Sequence, residues 1–132
     1  MPWAPPSAVL AATSGDTGKA AMAGFVNKKS ISILTFFPDK KVSSIQEVSM
    51  ITQEGNNVGV YPVLGNFDDV QKTIKEIFDD TEFSQQLLQK YNVKLTAANS
   101  INWGRLIAQL IYHIHSYVKL LEQNIVQLGD PI

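Results

Sequence analysis

The stretch SAVLAATSGDTGKAAMAG, Ser7 to Gly24, decides the fold. Ser7 to Thr13 is a short apolar run, the composition of a strand buried on both faces. Ser14-Gly15 ends it. From Thr17 to Lys29 the residues favour helix, and Ala20, Ala21, Ala23 and Gly24 are small enough for close packing on a sheet. The expectation is a buried strand, a tight glycine-bearing loop and a helix.

The same alternation continues outward. Ser30 to Phe37 is β-branched and aromatic and meets Pro38, a strand with a stop. Ser43 is placed to cap a helix whose first turn Glu47 supports, and Ile45, Val48, Ile51 and Thr52 would form its buried stripe. Asn56 to Gly65 reads as a third strand, with Pro62 marking its later part or an edge. In Phe67 to Asp80, the residues Phe67, Val70, Ile74, Ile77 and Phe78 share one helical face. Asp68-Asp69 suits the start of that helix, and Asp79-Asp80 its end and the turn beyond. A shorter helix over Thr81 to Tyr91 and a fourth strand over Val93 to Ala98 follow. The last helix is the longest, with Trp103, Leu106, Ile107, Leu110, Ile111, Ile114, Val118 and Leu121 at helical spacing, and Trp103 is read as core. Apolar strands joined by helices predict an α/β lobe of three layers, α/β/α, with a mainly parallel four-stranded sheet. Residues 7–132 are expected to form one such lobe, after an extended, proline-rich leader at 1–6.

Composition narrows the function. The chain has 132 residues, 45% apolar and 17% charged, with a net charge of -1. That charge gives no bulk attraction to nucleic acid or to an anionic membrane, and neither is expected as a partner. There are no cysteines, so disulfides and cysteine-rich metal sites are excluded, which fits a reducing, cytoplasmic setting. His113 and His115 are two apart on a helix and point to different sides, a poor metal pair, and no metal site is expected. No stretch is long and apolar enough to span a bilayer, and MPWAPPS lacks the basic and apolar regions of a secretory signal. The abrupt start and the ending LGDPI raise the expectation of a piece of something larger.

Two loops are candidates for chemistry. In a parallel α/β sheet, ligands gather beyond the carboxyl ends of the strands. Thr13-Ser14-Gly15-Asp16-Thr17-Gly18 lies there, with glycines that allow a tight turn and a helix start whose N–H groups can grip an anion. It is neither a dinucleotide fingerprint nor a P-loop. The plain alternative is a turn in which Asp16 caps the helix. The second loop is AANSINWGR, Ala97 to Arg105. Asn99 or Ser100 can cap, and Asn102 and Arg105 share a helix face. A guanidinium at a helix start is mildly unfavourable for the dipole unless an anion binds. The plain alternative is a capped helix with a solvated Arg105.

ATSGDTG, FFPDKKVSSIQE, GNFDDVQKTIKEIFDD and ANSINWGRLIAQLIYH occur in that order. Together they make the chain, from Val9 to Ile132, resemble the threonine synthase family in its longer-chain branch, including threonine synthase-like proteins. The resemblance implies a fold-type II pyridoxal-phosphate enzyme that converts O-phosphohomoserine and water to threonine and phosphate. It also implies that this chain is the smaller lobe, lacking the cofactor-bearing lysine and the cofactor-phosphate loop, and so inactive without a larger partner lobe. By that resemblance Thr13, Ser14, Gly15 and Thr17 would bind the substrate carboxylate, and Asp16 would lie toward the pyridoxal-phosphate ring. Asn99, Ser100, Asn102 and Arg105 would bind the substrate phosphate. A phospholyase acting on another phosphorylated amino acid, and a non-catalytic binding or structural fragment, are the alternatives.

Overall fold

The computed structural model describes residues 5–99 and 103–131. Its elements run β1 (Ser7–Ala12), α1 (Asp16–Phe25), β2 (Ile31–Pro38), α2 (Ser44–Ile51), β3 (Val58–Val63), α3 (Phe67–Asp79), α4 (Thr81–Tyr91), β4 (Lys94–Ala97) and α5 (Trp103–Glu122). The strands form one sheet in the order β3-β2-β1-β4, and every pairing is parallel. The fold class is therefore α/β, with a wholly parallel four-stranded sheet. Pro62 sits on the outermost strand, β3, where a missing backbone donor costs least.

Strand alternation sends two residue sets to opposite faces. Val9, Ile33 and Phe37 face α1 and α2 and build the core with Met22 and Met50. Ala8, Leu10, Leu34, Phe36 and Leu95 face α3 and α4. Steps from β1 to β2 to β3 run outward through α1 and α2, and the return to β4 runs through α3 and α4. Crossovers of one hand put helices on opposite faces when the chain moves in opposite directions across a sheet. The strand order thus reverses at the β1/β4 boundary.

Local chemistry sets the helix ends. Asn66 caps α3 in a capping box with Asp69, and Asp80 then caps α4 by accepting from the Phe83 N–H at 2.8 Å. The end of α1 is held from a distance: the Asn57 side chain donates to the Phe25 and Ile31 carbonyls at 2.8 Å each and accepts from the Asn27 N–H at 2.7 Å. This stops α1 at Phe25, short of the expected Lys29.

Helix α2 corrects the expectation most. Ile45, Val48 and Ile51 are exposed at 83%, 53% and 56%, and Thr52 is exposed too. The inward face instead carries Gln46, Ser49 and the fully buried Met50, with Gln53 half-buried just past the helix end. Polar anchors set this rotation: Lys19 Nζ donates to Gln53 Oε1 at 2.6 Å, and Gln46 Nε2 to Asp16 Oδ1 at 3.3 Å. Ser43 caps the helix in a capping box with Gln46, and Glu47 stands in the first turn as expected.

The described chain falls into two compact units, divided between Asn99 and Ser100. In the second, α5 has no buried residue, and Trp103, expected in a core, is 71% exposed. The Tyr117 hydroxyl accepts from the Gly129 N–H at 2.8 Å and donates to the Gln127 carbonyl at 3.2 Å, tying down the following turn.

Candidate functional site

The loop after β1 leaves the carboxyl edge of the sheet where the strand order reverses, the usual place for a ligand crevice. Thr13 continues the strand, its N–H donating to the Phe36 carbonyl at 3.0 Å. Its side chain is buried, and its hydroxyl oxygen accepts from the N–H groups of Gly15 and Gly18 at 2.9 Å each. Thr13 thus satisfies a donor in the first turn of α1 that a helix start leaves open.

The two glycines are needed for different reasons. Gly15 has φ of 144°, open to glycine, and a Cβ there would lie 2.5 Å from Gln46 Cδ. A Cβ on Gly18 would lie 2.5 Å from Thr13 Cγ2 and 2.7 Å from Thr35 Cγ2, so α1 approaches the strands only because Gly18 has none.

Asp16 does not cap α1. The N-cap is Gly15, which has no side chain to cap with; Asp16 is the first helical residue, its carboxylate accepting from Gln46. Ser14 and Asp16 are exposed, Thr17 is half-buried, and Thr13, Gly15 and Gly18 are buried. Two residues expected to touch a ligand, Thr13 and Gly15, therefore turn their polar atoms on each other. The outward surface of the loop is Ser14, Asp16 and Thr17, at a helix start that favours anions.

Of the second loop, Asn99 is exposed just past β4, after the Ala98 N–H donates to the Leu10 carbonyl at 3.0 Å. Because β4 pairs parallel to β1, Asn99 and Thr13 leave the same edge of the sheet from neighbouring strands. Ser100 and Asn102 lie outside the described residues. Arg105 stands exposed in the first turn of α5. Among the described residues no group of three His, Cys, Asp or Glu could hold a metal ion. No helix among them is long and apolar enough to cross a membrane.

The sequence reading missed Gln46. The spacing Ser43-x-x-Gln46 is a capping-box signature and marks the residue as an N-terminal one. Its contact with Asp16, 30 positions earlier, arises only in the folded sheet.

No family model matches the chain. A threonine synthase-like 1 protein from Pongo abelii is 40% identical over 136 residues, covering 97% of this chain and 18% of the relative. The threonine synthase of Schizosaccharomyces pombe is 44% identical over 116 residues, covering 88% of this chain and 21% of the relative. A crystal structure of threonine synthase from Brucella melitensis, described as bound to pyridoxal phosphate, superposes with a TM-score of 0.70 at 35% identity, covering 88% of this chain and 24% of the other. By sequence and by fold, over about a fifth of their length, this chain is a homologue of the threonine synthases and threonine synthase-like proteins.

Proposed function

We propose that this chain is the substrate-binding lobe of a cytoplasmic threonine synthase, which with a larger lobe converts O-phosphohomoserine and water to threonine and phosphate. The observation that carries the reading is the loop pinned by Thr13, which presents Ser14 and Asp16 outward at the strand-order reversal. The donor set suits the amino-acid end of a pyridoxal-phosphate complex. Ser14, Thr17 and the helix start bind a carboxylate, and Asp16 accepts from a hydroxyl or cationic group beside it. Pyridoxal phosphate, when bound, supplies the electron sink for carbanion chemistry. Thr13 and Gly15 keep the loop in shape. Asn99, Ser100, Asn102 and Arg105 bind the substrate phosphate, with Arg105 as its charged, forked donor. No lysine here falls in the family's cofactor-bearing motif, so this chain does not turn over by itself.

A second reading has its own support. The threonine synthase-like relative matches 97% of this chain, against 88% for the fission-yeast enzyme. It assigns the same loops to a phospholyase acting on another phosphorylated amino acid.

The test uses the full-length protein with pyridoxal phosphate and a panel of O-phosphohomoserine, O-phosphoserine and O-phosphothreonine. Phosphate and amino-acid product are followed for each. Threonine from O-phosphohomoserine supports the first reading, and turnover of another member alone supports the second. Phosphate release from none of them overturns both. Arg105→Ala should lower kcat/KM for the phosphorylated substrate by about ten- to a hundredfold, the worth of a hydrogen bond to a charged group. An analogue without phosphate should bind as before, and equal losses for both ligands would remove Arg105 from the phosphate site.

A further inference from the structure

One carboxamide joins the site loop to the start of a different helix. Gln46 Oε1 accepts from the Ser43 N–H at 3.3 Å and from the Ser43 hydroxyl at 3.0 Å. The same side chain's Nε2 donates to Asp16 Oδ1 at 3.3 Å. Its Cδ, Nε2 and Cγ occupy the space that a Cβ on Gly15 would need, 2.5 to 2.9 Å away. The two ends of the amide thus have different chemical demands. The cap requires an acceptor and Asp16 requires a donor, and glutamine is the side chain of this length that supplies both.

We infer that Gln46 is a positioning residue for the candidate site: anchored by Ser43, it fixes the direction of the Asp16 carboxylate and closes the loop from behind at Gly15. This deepens the functional reading above and rests on it, because it takes Asp16 to be the group that faces the cofactor. Asp16 is exposed and is not the cap of α1, and among the described residues its carboxylate accepts from Gln46 outside the loop. A carboxylate without that donor samples several rotamers, and a ligand must then order it on binding.

Gln46→Glu isolates the contact. Glutamate still accepts from Ser43, as in the alternative form of the capping box, so α2 keeps its cap. It cannot donate to Asp16, and it sets a second carboxylate against it. In the full-length protein, pyridoxal-phosphate affinity is read from the cofactor's absorption, beside a melting curve of the cofactor-free protein. Gln46→Glu should weaken that affinity about three- to tenfold, a modest loss for a charged hydrogen bond because the pair is open to water. In an Asp16→Asn background the same substitution should cost nothing, since the asparagine amide can donate to the new carboxylate. A residue that only braces the fold would give the same loss in both backgrounds and a lower melting temperature. Equal losses in the two backgrounds, or wild-type affinity for Gln46→Glu, overturn the assignment of Gln46 alone. Absence of cofactor binding by the wild-type protein overturns the functional reading and this inference with it.

Discussion

The two faces of the sheet are packed differently. Under α1 and α2, Met22, Ile33, Phe37 and Met50 are at most 1% exposed, and the Thr13 hydroxyl is paired beneath the site loop. Under α3 and α4, Leu10, Leu34, Phe36, Phe83, Leu87 and Leu95 are among the lining of an apolar cavity of about 490 Å³. Helix α4 has no buried residue. Both faces are apolar, so hydrophobicity does not explain the contrast. The difference is that α1 and α2 are tied sideways to one another and to the loop by Gln46 and Gln53, whereas the described hydrogen bonds of α4 beyond its own backbone are local. The tight face is the one that carries the candidate ligand loop, which needs a fixed platform.

The strongest way to break the contrast is to cut the tight face. Phe37→Ala should cost about 3–5 kcal/mol, the usual range for an aromatic removed from a packed core. Leu87→Ala, on a half-buried residue beside existing empty space, should cost clearly less, about 1–2 kcal/mol, because little packing is lost with it. Denaturant unfolding of the two variants measures both. Equal losses would mean that the cavity closes in solution and that the two faces are alike.

Next in size is Thr13→Val, which keeps the shape of the side chain and removes the acceptor for Gly15 and Gly18. Each buried N–H left unpaired costs about 1–3 kcal/mol. The loss should appear in the melting curve and as faster amide exchange at Gly15 and Gly18, with β2 and β3 unchanged. Uniform exchange across the sheet would show that Thr13 braces the fold and not the loop.

The smallest effect sharpens the comparison. Thr35 is fully buried on the tight face, and its hydroxyl has no hydrogen-bond partner among the described residues. Thr35→Val should be neutral or stabilising by up to about 1 kcal/mol, since an unpaired buried hydroxyl is replaced by a methyl of similar size. A clear loss of melting temperature would assign that hydroxyl a partner in solution.

Much of this architecture was readable from spacing. Phe67, Val70, Ile74 and Ile77 repeat at helical intervals, and Val70 is indeed buried while the other three are half-buried. The run from Ser7 to Thr13 could hardly be anything but an inner strand, and β1 is central in the sheet. Periodicity failed at α2, where Ile45, Val48 and Ile51 form a stripe that faces outward. A hydrophobic stripe states that a helix has a preferred apolar side. It does not state which neighbour is present to cover it, and here polar contacts to Asp16 and Lys19 set the rotation.

By itself the sequence determined the order and type of the elements, the loop at the end of β1 and the tight turn that its glycines allow. These follow from local terms: side-chain period, backbone freedom and capping chemistry, all acting within a few residues. Only the tertiary structure decided that Thr13 points inward to hold two amides, that Ser14 and Asp16 point outward, and that Gln46 stands behind them. Those choices depend on which strands are neighbours and on how closely α1 approaches them, so groups 30 positions apart must meet before any of them exists.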